Sequence, residues 1–150
     1  MPSNPKRINN DLVQKILAAQ KTIDCIKMSA VTLLRPVSFV DQTILKQLDL
    51  MGSIVFRYKA QGFSLNYLDQ RIAGINHKRN HRNPGGNYVD GWHWHLWIDK
   101  FGNANTGVEI RELPRRRMDV TPDQLLDFCC AKWNIRVDGR VVPEELFPRP

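Results

Sequence analysis

Apolar residues recur at Leu12, Val13, Ile16, Leu17 and Ile23 behind Asn10, a residue suited to an N-cap, and this spacing predicts a first helix over 11–24. Ala30–Leu34 reads as a strand ended by Pro36. Over 39–51, Val40, Ile44, Leu45, Leu48 and Met51 fit a helix closed by Gly52, and a strand fits the same segment. Ile54–Lys59 alternates apolar with basic residues and stops at the Gln61-Gly62 turn. Phe63–Leu68 alternates again and, past a bulge, continues to Ile75. Trp92–Ile98 is the third strand of this kind, and Val108–Leu113, ended by Pro114, is a fourth.

Thr121-Pro122-Asp123-Gln124 places an N-cap threonine, a proline at the first helical position and a glutamine in capping-box spacing. Leu125, Leu126, Phe128, Cys129 and Trp133 then form the apolar face of a helix over 121–134. Val137–Arg140 lies between β-branched runs and reads as a hairpin turn. Together these elements predict one α+β domain over 1–150, an antiparallel sheet of about four to five strands flanked by an N-terminal and a late helix. Residues 1–9 are expected to be flexible and 136–150 to form a C-terminal hairpin or extension.

The chain of 150 residues suffices to bury roughly 70% of its unfolded surface without staples. At 42% apolar and 25% charged residues it has a globular composition, which excludes wholesale disorder. No apolar run approaches the roughly 20 residues of a membrane span, and the polar first ten residues lack the core of a secretory signal. Three cysteines, two of them the adjacent Cys129 and Cys130, make no disulfide framework, so a reducing cytoplasm is the expected location. The net charge of +7 points to a polyanionic partner, RNA or another nucleic acid, or to an acidic protein inhibitor.

All 4 histidines fall between His77 and His95. On a strand His93, His95 and Trp97 share one face, while Trp92, Trp94, Leu96 and Ile98 share the other and point to the core. Two imidazoles so placed, with His81 from the adjoining loop as a third candidate, serve general acid–base chemistry on an RNA phosphodiester. Arg82 would supply charge and Asn83 would position the loop or a phosphate oxygen. Lys78, Arg79, Arg115, Arg116 and Arg117 are candidates for a phosphate-binding rim, and Trp97 for base stacking. On this reading no cofactor is needed. The alternative has His81, His93, His95 and Asp99 holding zinc or another divalent metal. Gly91-Trp-His-Trp-His95 with Asp99 also faintly resembles the first cupin motif, but a cupin site requires a later histidine that this chain lacks.

The stretch from Phe63 to Ile135 resembles a family of small bacterial and phage proteins akin to toxins of toxin–antitoxin pairs. The resemblance is carried by Leu68-Asp69, the loop His81-Arg-Asn-Pro-Gly-Gly86, His93-Trp-His95 with Gly102, and Lys132-Trp-Asn-Ile135. It implies a toxin-like enzyme acting on RNA, with an acidic antitoxin as its partner. The chain departs from the pattern at Trp92, at Leu96–Phe101 and in having Trp133 before Asn134. Three functions therefore stand: a metal-independent ribonuclease, a metal-dependent nuclease using the same histidines, and a non-catalytic phage or mobile-element accessory protein that binds nucleic acid or a host protein.

Overall fold

The computed structural model describes residues 8–24, 26–27, 32–59, 62–99 and 106–147. It is α+β, with three helices and two sheets, one of three strands in the order β3-β1-β9 and one of six in the order β2-β4-β5-β6-β7-β8. The larger sheet exceeds the four to five strands expected from the alternating segments. Its pairings are all antiparallel, whereas β1 and β9 run parallel.

Helix α1 (Asn10–Ala18) is capped by Asn9 and ends earlier than its periodicity suggests. Strand β1 (Lys21–Ile23) follows at once, and the buried Lys21 ammonium donates to the carbonyls of Ile16, Leu17 and Ala19. That charge closes the helix from outside it, and the β-branched Thr22 and Ile23 then pair with the strand β9 (Ile135–Val137). Strands β2 (Thr32–Pro36) and β3 (Ser38–Phe39) lead to α2 (Gln42–Leu48), which resolves the ambiguous 39–51 segment. Asp41 caps α2 and Asp49 ends it in the left-handed conformation at φ 51°, the task expected of Gly52.

Strand β4 (Ile54–Lys59) and β5 (Gly62–Tyr67) bury Ile54, Phe56, Tyr58, Phe63, Leu65 and Tyr67 on one face. The chain then reverses at Leu68-Asp69 instead of continuing past a bulge. Both residues have positive φ, 50° and 61°, so Tyr67 pairs directly with Gln70 across a two-residue turn. Strand β6 (Gln70–Arg82) makes a long hairpin with β7 (Tyr88–Leu96), and β8 (Thr106–Glu109) is the sheet edge.

Helix α3 (Pro122–Trp133) carries the full capping box between Thr121 and Gln124 and ends at Asn134 with φ 58°. It lies on the apolar face of the sheet: Trp94 stacks on Phe128 at 5.5 Å, and Trp133 meets Trp94 and Phe56. After β9 the chain turns at Asp138-Gly139 but forms no second hairpin strand. Val141 is exposed, and Arg140 folds back onto Asp123 and the buried Asp127. β9 pairs with β1, and among the described residues no strand follows it. The apolar residues of both sheets and the helices share one core. Among the described residues, no helix is long and apolar enough to cross a membrane. Residues 1–7, expected to be flexible, and Gly102 lie outside the described residues.

Candidate active site

The histidine site is built by register. Arg57 pairs with Ser64, Ser64 with Gly74, Gly74 with His95, and His95 with Gly107, so these positions form one row across five strands. Asn76 pairs with His93 in the neighbouring row. The row lies on the face away from α3. This face is not open over the histidines, as simple alternation suggested: His93 is 0% exposed and His95 3%.

The β6–β7 hairpin covers them. Its register shifts between Lys78 and His81, and Gly91, at φ 82°, bends β7 opposite the shift. Asp90-Gly91 is thus a bend within β7. The tip then reaches over β7 to the edge strand. Asn83 Nδ2 donates to the Gly107 carbonyl at 3.0 Å, and the Gly107 amide donates to Asn83 Oδ1 at 2.7 Å. One side-chain amide thereby stands in for a strand neighbour at Gly107 and fixes His81 above His93, ring centroids 4.7 Å apart and stacked. A Cβ on Gly107 would lie 2.7 Å from His81 Cδ2, so only glycine leaves room for that ring.

His81, His93 and His95 close a triangle of imidazoles, with centroid separations of 4.7, 5.1 and 4.7 Å. Hydrogen bonds assign the tautomers of two. His93 Nδ1 lies 2.9 Å from the Gly91 carbonyl, an acceptor, so Nδ1 carries the proton and Nε2 the lone pair. Arg71 Nη2 lies 3.3 Å from His95 Nδ1, and a guanidinium only donates, so His95 Nδ1 holds the lone pair. His95 Nε2–H accordingly faces two acceptors, His93 Nε2 at 3.2 Å and Asn76 Oδ1 at 3.3 Å. Burial lowers the His93 pKa from its usual 6.5, and the charges of His81, Arg71 and His77 add to this against the opposing bond to Gly91, so His93 is held neutral.

His95 and Arg71 form one end of a polar groove of about 460 Å³ that runs along the sheet past Asn76, Ser64 and Asn66 to Arg57 and Lys59. Gly74 lets Arg71 lie across the sheet, since a Cβ there would meet Arg71 Cδ at 3.0 Å. Burial lowers the Arg71 pKa from its ordinary value, and the group stays protonated at neutral pH.

Ligand nitrogens of His81, His93 and His95 lie within 4.8 Å of one another, the spacing of a three-histidine metal centre. The local donors work against a cation. A metal at His95 Nε2 would force a proton onto Nδ1, against the Arg71 guanidinium. Asp99, grouped with these histidines on the metal reading, stands elsewhere: its Oδ1 accepts from Trp97 Nε1 and the Asn10 amide, both at 2.7 Å.

Other expected site residues separate from this cluster. Trp97 is 6% exposed and its indole is spent on Asp99, so it offers no stacking surface. His77 points to the other face, edge-on to Trp92 at 5.1 Å, with Nε2 3.2 Å from the Arg115 carbonyl. Arg115, Arg116 and Arg117 line a separate groove of about 1190 Å³ beside His77, with Arg116 paired to Asp119. They do not form a common rim with the histidine loop, because β6 and β7 place His77 and His81 on different faces. Arg82 is exposed beside His81 and Asn83 at the hairpin loop, and Lys78 is exposed on β6. The Arg79 side chain lies outside the described residues.

Arg71, Asn76 and Gly107 were not singled out by sequence. Arg57 and Lys59 were visible only as the basic half of an alternating strand. No protein-family model, curated protein or solved structure matches the chain.

Proposed function

We propose that the protein cleaves RNA by histidine acid–base chemistry, as a toxin-like ribonuclease without a resident metal. The observation that carries this reading is the directed chain of hydrogen bonds from His95 through His93 to the Gly91 carbonyl, which leaves the His95 Nδ1 lone pair beside Arg71 at a basic groove. A base oriented by a second group, itself anchored to backbone, is the arrangement that activates a hydroxyl.

A ribose 2′-hydroxyl that replaces Arg71 at His95 Nδ1 gives its proton to that nitrogen. The O2′–P bond forms and the P–O5′ bond breaks. The leaving 5′-oxygen takes a proton from His81, the half-buried third corner of the triangle, which enters this step as the acid. The products are a 2′,3′-cyclic phosphate and a 5′-hydroxyl. His95, now an imidazolium, donates Nε2–H to His93, whose neutral ring accepts it. Arg71, once it has given up its place at His95 Nδ1, supports the charge growing on phosphorus. Asn83 acts through His81, as a positioning residue. Arg82 adds positive charge at the loop. The net charge of +7 suits this polyanionic substrate and equally an acidic inhibitor protein, and both belong in a cytoplasm.

Purified wild-type protein and His95→Ala are incubated with total RNA, with and without chelator. Cleavage by the wild type alone, indifferent to chelator, is expected. Cleavage lost with chelator would return the three histidines to metal ligation. No cleavage under any condition would favour a non-catalytic binding protein, with the Arg115–Arg117 groove as its working surface.

A further inference from the structure

We infer that Arg57 and Lys59 form a second phosphate site on the histidine face of the sheet, so that the groove holds a single-stranded nucleic acid across more than one phosphate. This rests on the reading of the site as one for RNA. Arg57 is three strands from His95 in the row Arg57–Ser64–Gly74–His95, about 14 Å at the usual strand spacing. Arg71, in contrast, is within hydrogen-bond distance of His95. The far pair of cations is therefore set to meet a phosphate farther along the strand while Arg71 meets the one under attack.

Three further observations point the same way. Arg57, Lys59 and Arg71 line the groove against one lining carboxylate, Asp69. The alternation of β4 sends Ile54, Phe56 and Tyr58 into the core and leaves Arg57 half-buried and Lys59 exposed on the groove side. The floor between the two cationic ends is Ser64, Asn66 and Asn76, with Asn66 Nδ2 donating to Ser64 Oγ at 2.9 Å. Small polar side chains there suit a sugar–phosphate backbone, and Phe63, the aromatic residue in the lining, is buried and has no face to offer a base, so the contact is independent of sequence.

The test measures binding and not cleavage. A fluorescently labelled short single-stranded deoxy-oligonucleotide, which lacks the 2′-hydroxyl and is not cut, is titrated into wild-type protein and into Arg57→Gln/Lys59→Gln over a range of salt. The double variant is expected to bind about tenfold or more weakly. Its slope of log affinity against log salt should fall by about 1.4, about 0.7 for each lost phosphate contact to a single strand. Equal affinity and equal slope in the two proteins would overturn the inference. So would binding that survives in this variant but is lost in Arg115→Gln/Arg117→Gln, which would move the strand to the other groove. Far-UV circular dichroism confirms that each variant is folded. Since no bond is cut, failure of the RNA-cleavage reading and failure of this site register separately.

Discussion

Gly107→Ala adds a single carbon to the edge strand, and its consequences follow from three distances. The new Cβ would stand 2.7 Å from His81 Cδ2, 3.2 Å from His93 Cδ2 and 3.3 Å from Asn83 Oδ1. Gly107 is not among the residues with positive φ, so alanine fits its backbone and gains about 0.4–1 kcal/mol by restricting the unfolded chain. Overpacking a closed site costs about 1–3 kcal/mol. The clash therefore wins if His81 stays in place, and the melting temperature falls by about 2–4 °C for each kcal/mol lost at this chain length. His81 is the one neighbour able to swing away. If it does, the loss moves from stability to catalysis, where a misplacement of about 1 Å can cost about 100-fold. Thermal melting and RNA cleavage are measured for Gly107→Ala, His81→Ala and the double variant. In the His81→Ala background the added methyl should cost clearly less, since its closest neighbour is gone and only the 3.2 and 3.3 Å approaches to His93 and Asn83 remain, and the two changes should be non-additive. A Gly107→Ala protein that melts and cleaves like wild type would refute the reasoning, as would an equal penalty in both backgrounds.

Two further outcomes follow from buried groups. The folded His93 pKa lies below its unfolded value of 6.5, so the stability due to neutral His93 is present above about pH 6.5 and is lost as pH falls through the lower folded value. Wild-type melting temperature should therefore drop on acidification below pH 6.5 more steeply than that of His93→Gln, and parallel curves would contradict the assignment. Arg140→Ala removes the bidentate partner of Asp127, whose side chain is 4% exposed, and should destabilise the fold by about 3–5 kcal/mol in urea unfolding. Asp127→Asn added to Arg140→Ala should restore much of that loss.

Local signals carried much of the architecture. The Thr121–Gln124 capping box and the alternation of Ile54–Lys59 are each written within a few residues, and each forms as its pattern predicts. The strand through His93 and His95 forms too, but its faces do not follow simple alternation: both histidines are buried, and Leu96, expected in the core, is exposed. The misses are tertiary. Helix α1 stops early because Lys21 caps it from the next strand. The turn at Leu68-Asp69 uses left-handed conformations with neither glycine nor asparagine to announce them. The histidine pattern located two of the three clustered imidazoles on one strand face and grouped His81 with them from the adjoining loop, but did not give the contacts that bring His81 there. They depend on a bend at Gly91 and on an Asn83 amide bonding a residue 24 positions away. Arg71 meets His95 across the same sequence distance, through the β6–β7 pairing. Trp97 looked available by periodicity, and its burial follows from the end of β7 at Leu96 and the contact with Asp99.

The central claim is that His95 draws a proton from the substrate's own 2′-hydroxyl. A DNA strand carrying one internal ribonucleotide tests it most directly. Wild-type protein should cut only on the 3′ side of that ribose, in the presence of chelator, and leave a 2′,3′-cyclic phosphate, with cutting abolished in His95→Ala. A cut at deoxyribose positions, a cut that leaves no cyclic phosphate, or an intact strand would contradict the account.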